Sequence, residues 1–224
     1  IVHSDKTWKS PTVTILYSTF KNGRAEKGGA LYIEGQNSRV TIKSSVIDSC
    51  SATGEGGGVY ITNRARATIS STNFSSNVAK EGSAIMSSRG FYIHITDSLF
   101  DSNTITGIDK DYPVNGALVI FNTQTRLTHT TFINKNSSDA IYGTSISLLD
   151  GSHLSLLGSQ NKFGSNPSPG NTIQCKSIKL QDDTNVIEFE SCPTNTKYSN
   201  SEVYASDLDD GCINQEFTGC PSSC

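Results

Sequence analysis

Long apolar runs are missing from this chain. No stretch approaches the roughly 18 consecutive apolar residues of a membrane-spanning helix, so none is expected. Charge is also sparse. Lys and Arg number 18 against 21 Asp and Glu, for a net −3, which offers no clustered basic surface of the nucleic-acid-binding kind. Proline occurs only six times and aliphatic residues are plentiful, which argues against disorder. The chain opens at Ile1 without Met or a signal-peptide pattern, so it reads as a processed product or a piece of something longer.

Ser, Thr and Asn fill that space, with 33, 23 and 17 copies, about a third of the chain. β-Branched Thr suits short strands and Asn suits turns, so the composition points to an all-β protein. Cysteines number six: Cys50, Cys175, Cys192, Cys212, Cys220 and Cys224. Their spacing and the few histidines match no zinc site. An even count gathered at one end predicts a disulfide-stapled C-terminal cap in an oxidising compartment, with the pairing left open. For Cys50 the reading is a half-cystine or a buried thiol. Sequons at Asn73-Phe-Ser and Asn136-Ser-Ser agree with secretion and mark Asn73 and Asn136 as glycosylation candidates.

The chain repeats itself. VTILYSTFKN starts at Val13, VTIKSSVIDS at Val40, ATISSTNFSS at Ala67 and IHITDSLFDS at Ile93, at intervals of 27, 27 and 26 residues. TRLTHTTFIN follows at Thr125, with weaker copies at Leu154 and Ile178. A landmark recurs at Phe20, Ile47, Phe74, Phe100, Phe132, Phe163 and Phe189. A second motif lies between, in GGALYIEG at Gly28, GGGVYITN at Gly56, GSAIMSS at Gly82, NGALVIFN at Asn115 and GTSISLL at Gly143. A period in the twenties means a solenoid, because one such unit cannot bury its own apolar face. Segments of four to six residues that alternate apolar and polar are strands. The expected fold is therefore an all-β, right-handed parallel β-helix of six to seven coils with a disulfide-rich C-terminal cap. Residues 1–11 form an N-terminal arm, 12–192 the coils and 193–224 the cysteine-rich segment. Glycines should make the bends, stacked Phe an internal ladder, and Asn77, Asn103 and Asn166 left-handed corners.

Gly-Gly-Ala-Leu at 28–31 together with Phe-x-x-Asn at 74–77, 100–103 and 163–166 resembles the repeat pair of the polymorphic outer-membrane-protein family of secreted surface proteins. It is also similar, more broadly, to pectate-lyase-like β-helices. The resemblance covers about four fifths of the chain. It implies adhesins, filament subunits or polysaccharide enzymes, since fold does not fix function.

An enzyme of that kind needs paired carboxylates. Asp182-Asp183, Asp209-Asp210, Asp109 and Asp111 lack the companions of known signatures and read as solvated turn residues, so no catalytic residue, metal site or cofactor is expected. Aligning the VTI-type strands places Thr14, Thr41, Thr68, His94, Arg126, His153 and Lys179 in one outward column. His94, Arg126, His153 and Lys179 are candidate contacts for an anionic sugar chain. A second column, Tyr32, Tyr60, Met86 and Val119, is apolar where polar residues belong, which marks an interface or a face covered from within the chain. The N-terminal end, with Ile1, Val2 and Trp8, has no visible cap, so head-to-tail stacking of copies or donation of this segment is expected. Together these features suggest a non-catalytic, extracellular or cell-surface structural or adhesive module that self-associates into a filament, without nucleic acid or a membrane span. The alternatives are a polysaccharide lyase or hydrolase and a glycan-binding module.

Overall fold

In a computed structural model of the chain, residues 11–106, 116–133, 146–149 and 151–157 are described. For the strands Val2–His3, Lys162–Phe163, Ile173–Lys176, Asn185–Phe189 and Cys212–Asn214 the backbone course alone is described. The fold is an all-β parallel solenoid of about five turns. The further sequence units lie where only strand backbones are described.

Each turn runs through up to four short strands, and each strand pairs in parallel with its equivalent one turn later. The first sheet stacks Val2–His3, Leu31–Glu34, Val59–Thr62, Ile85–Ser88, Leu118–Phe121, Ile146–Leu149 and Ile173–Lys176. The second stacks Thr12–Leu16, Arg39–Lys43, Arg66–Ser70, Tyr92–Thr96, Gln124–Thr128, His153–Leu157, Asn185–Phe189 and Cys212–Asn214. The third carries the Phe landmark in Thr19–Lys21, Val46–Asp48, Asn73–Ser75, Leu99–Asp101, Thr131–Ile133 and Lys162–Phe163. The fourth consists of two-residue strands from Arg24–Ala25 to Thr104–Ile105.

Strand alternation sends every second side chain inward, and the inward set forms one continuous core. The expected aromatic ladder is present. Phe74 stacks on Phe100 at 4.9 Å between centroids, and Phe100 on Phe132 at 4.5 Å. Ile47 stands in register with Phe74, and Phe163 with Phe132. Phe189 does not join this ladder: its strand pairs with His153–Leu157, which puts Phe189 opposite Leu156 in the second sheet.

The turns repeat as faithfully as the strands. Gly28, Gly56 and Gly82 bend the chain into the first sheet with φ of 64°, 66° and 58°. A Cβ on any of them would meet the carbonyl oxygen three residues on at 2.2–2.5 Å, so only glycine fits. Between the third and fourth sheets the left-handed residues are Asn22, Ser49, Ser76 and Ser102. This corrects the expectation for Asn77 and Asn103, which follow the bend rather than make it. With the bend made by the preceding residue, the amides are free to bond between turns. Asn77 Nδ2 donates to the Ile47 carbonyl at 2.9 Å and Asn103 Nδ2 to the Phe74 carbonyl at 2.9 Å. The Asn77 side-chain oxygen accepts the Cys50 N–H at 3.0 Å, and that of Asn103 accepts the Asn77 N–H at 3.0 Å. Asn166 lies outside the described residues.

A third corner was not foreseen. Tyr17, Ser44, Ser71, Asp97 and His129, all left-handed, precede Ser18, Ser45, Thr72, Ser98 and Thr130. Each of those hydroxyls donates to the carbonyl two residues back at 2.8–3.1 Å. Ser45 and Ser98 also accept the backbone N–H of Ser18 and Thr72 from the preceding turn. These bonds satisfy backbone groups that a bend would otherwise leave unpaired in the interior.

Candidate functional site

The second sheet turns a flat outward face to solvent, and its columns follow from the pairing register. One reads Thr12, Arg39, Arg66, Tyr92, Gln124, His153. The next reads Thr14, Thr41, Thr68, His94, Arg126, Ser155, and the third Leu16, Lys43, Ser70, Thr96, Thr128, Leu157. His94 and Arg126 are therefore neighbours, as expected. His153 is not in their column. It stands two residues earlier, opposite Gln124, and its place is taken by Ser155. Leu154 and Leu156 are the inward pair of that strand, which leaves His153 outward at the strand's first position. His153 Nε2 and Ser155 Oγ are 3.3 Å apart. Lys179 lies outside the described residues, and the strand that continues the column brings Glu188 to register with Ser155.

Residues beside the VTI-type column complete this face. Arg66 lays its guanidinium over the Phe91 ring at 4.1 Å, and Phe91 is 40% exposed. The Tyr92 ring lies 6.4 Å from that of His94. Arg39, Lys43 and Arg126 are exposed, while Arg66, His94 and His153 are half-buried. Among the described residues these three columns contain no Asp or Glu. Arg39 therefore abuts Arg66, and His94 abuts Arg126, one strand spacing (about 4.8 Å) apart with no carboxylate between. In the Arg39–Arg66 pair, like charges directly opposite on a sheet oppose folding unless an anion offsets them. Arg39 and Arg66 carried no weight in the sequence because their column sits one alternation away from the VTI landmark.

Burial, and secondarily the Arg126 charge, hold the His94 imidazole below its ordinary value. The unfolded chain takes up that proton more readily, so this contribution to stability is present above about pH 6.5 and is lost as pH falls below it. An NMR titration is expected to place the His94 transition below 6.5. Arg126→Ala should move it upward part of the way, because burial is the larger cause. No movement would mean that the two groups do not share a surface.

The apolar column is buried in the single chain. Tyr60, Met86 and Val119 are 5%, 4% and 0% exposed in the single chain, and they form a second apolar cluster with Leu149, flanked by half-buried Tyr32 and Phe121. Tyr32 stacks on Tyr60 at 5.3 Å, and Lys27 Nζ lies 5.0 Å from the Tyr60 ring centre. Their cover is intramolecular. Val2–His3 pairs with Ile33–Glu34 of the same chain and forms the edge of the first sheet. Ile1 and Trp8 lie outside the described residues.

Beside Tyr60 lies a carboxylate pair that the sequence reading missed. Glu55 bridges Glu81 across adjacent turns, and Lys27 Nζ binds Glu55 Oε2 at 3.0 Å. Burial first, and Glu55 second, push the Glu81 carboxyl up. The signal was present in KGG, EGG and EGS, each immediately before a bend. Lys27 neutralises one member of the pair. Among the described residues no group of three or more His, Cys, Asp or Glu could hold a metal. The aspartate pairs considered above lie outside the described residues.

Cys50 is a buried free thiol, so of its two readings the half-cystine is not found. It replaces Asn in the corner column, with Sγ 3.4 Å from the Asp48 carbonyl, and burial pushes the thiol up. The side chains of Cys175, Cys192, Cys212, Cys220 and Cys224, and Asn136, lie outside the described residues. Among the described residues no helix is long and apolar enough to cross a membrane.

Comparison of the chain with family models, curated proteins and solved structures finds no match.

Proposed function

We propose that the chain is a non-catalytic extracellular adhesive module that lays an acidic polysaccharide along the outward face of the second sheet. The observation that carries this reading is the unneutralised juxtaposition of Arg39 with Arg66, with Arg126 beside the His94 imidazole in the next column. An extended polyanion running across the strands would meet both pairs, with exposed Phe91 and half-buried Tyr92 beside them as apolar contacts for its sugars. The likeness of the Gly-Gly-Ala and Phe-x-x-Asn repeats to those of secreted outer-membrane and pectate-lyase-like β-helices supports a surface location. The protein should co-sediment with an insoluble acidic polysaccharide at low salt, be released as salt rises, and generate no reducing ends. Release of reducing ends or unsaturated products would favour the lyase or hydrolase reading instead.

A second reading, self-association into a filament, rests on the first turn. Val13, Ile15 and Phe20 are only half-buried there, whereas their successors Val40, Ile42 and Ile47 are at most 2% exposed. Leu16 and Tyr17 beside them are 46% and 79% exposed. This reading expects a sedimentation coefficient that rises with protein concentration. A constant monomer value at high concentration would end it.

A further inference from the structure

We propose that Asn73 is an N-glycosylation site whose glycan lies against the outward face of the third sheet, over Val46 and Leu99. The sequon alone is weak in a chain rich in Asn and Ser, and the fold supplies what it lacks. Phe74, the middle residue, is fully buried in the aromatic ladder, so strand alternation puts Asn73 and Ser75 together on the outer face. A chance sequon could equally have fallen on Asn77, which is 0% exposed and bonded between turns.

Register sets Asn73 between Val46 on one side and Leu99 on the other. All three are half-buried, so two apolar side chains flank the amide on an outward face. Asn73 Oδ1 is buried and has no hydrogen-bond partner. Because the amide is planar, an inward oxygen directs the nitrogen, the atom that would be modified, away from the sheet. The first sugar would then rest on Val46 and Leu99, one strand spacing (about 4.8 Å) to either side.

The modification uses a lipid-pyrophosphate-linked oligosaccharide as donor. Asn73 Nδ2 forms a bond to C1 of the donor's first sugar and loses a proton. The bond from C1 to the pyrophosphate oxygen breaks, and the lipid pyrophosphate leaves with the electron pair. Transfer must precede folding, because in the folded sheet the Asn73 N–H is bonded to the Ser45 carbonyl at 3.0 Å and the Ser75 hydroxyl to Asp48 Oδ1 at 2.8 Å. The completed fold then accommodates the sugar because the site faces out. The proposal rests on the extracellular reading only for the compartment in which chain and donor meet, and it leaves the basic face of the second sheet free.

The full chain would be produced in a eukaryotic secretory host and mapped by peptide mass before and after treatment with an N-glycan amidase. The expected result is a hexosamine-bearing glycan on the Asn73 peptide, converted by the amidase to aspartate at that position. Asn73→Gln and, separately, Ser75→Ala should both remove it, with circular dichroism reporting the fold of each variant. A secreted, folded wild-type chain whose Asn73 is unmodified overturns the proposal, whether or not Asn136 carries sugar. Polysaccharide binding is read separately, so failure here leaves the adhesive reading standing, and the reverse also holds.

Discussion

Phe74→Ala is expected to lower unfolding stability by ~3–5 kcal/mol, the range for emptying a buried aromatic site. Phe74 is 0% exposed and stacks at 4.9 Å on Phe100, with Ile47 in register on its other side. The parallel backbones on both sides cannot close the gap without breaking their ladders, so most of the cavity would persist. Phe20→Ala should cost distinctly less, because Phe20 lies at the open end of the ladder and is only half-buried. Urea melts of the two variants check the difference. A Phe74→Ala loss under about 1 kcal/mol would mean that the core does not run through this column.

Asn77→Ala should be nearly as damaging, although it removes little apolar surface. The side chain donates to the Ile47 carbonyl at 2.9 Å and accepts from the Cys50 N–H at 3.0 Å, and it is fully buried. Truncation strands both backbone groups in the interior, at about 1–3 kcal/mol each, for a loss of ~2–4 kcal/mol. Asn103→Ala is the comparison, since Asn103 is half-buried and water can reach its former partners more easily. Denaturation midpoints should therefore fall in the order wild type, Asn103→Ala, Asn77→Ala. Equal values for the two variants would show that the amides act through local turn preference rather than by linking turns.

The solenoid was legible because its landmarks repeat: Phe20, Phe74, Phe100 and Phe132 mark the third sheet, and Gly28, Gly56 and Gly82 mark one bend. The hydroxyl corner was harder to see, since Ser18, Ser45, Thr72, Ser98 and Thr130 are scattered among dozens of other Ser and Thr residues. The His153 offset arose because a strand with Leu at 154, 156 and 157 permits more than one outward register, and pairing with Thr125 and Leu127 decides it. Whether Tyr60, Met86 and Val119 face water depends on contacts remote in sequence, which periodicity does not encode. Arg39 and Arg66 became a site only when register brought them together, 27 residues apart in the chain. What the composition hid is a local imbalance: a chain of net charge −3 carries one face without carboxylates among the described residues.

The most direct test is a calorimetric titration of wild type and the Arg66→Ala/Arg126→Ala double variant with polygalacturonate, and with dextran as a neutral polymer. The wild type should bind the polyanion and not dextran. The double variant should bind roughly tenfold more weakly, the effect of losing two partly exposed charge contacts of up to about 1 kcal/mol each. Equal binding of dextran, or an unchanged affinity in a folded double variant, would contradict the adhesive face.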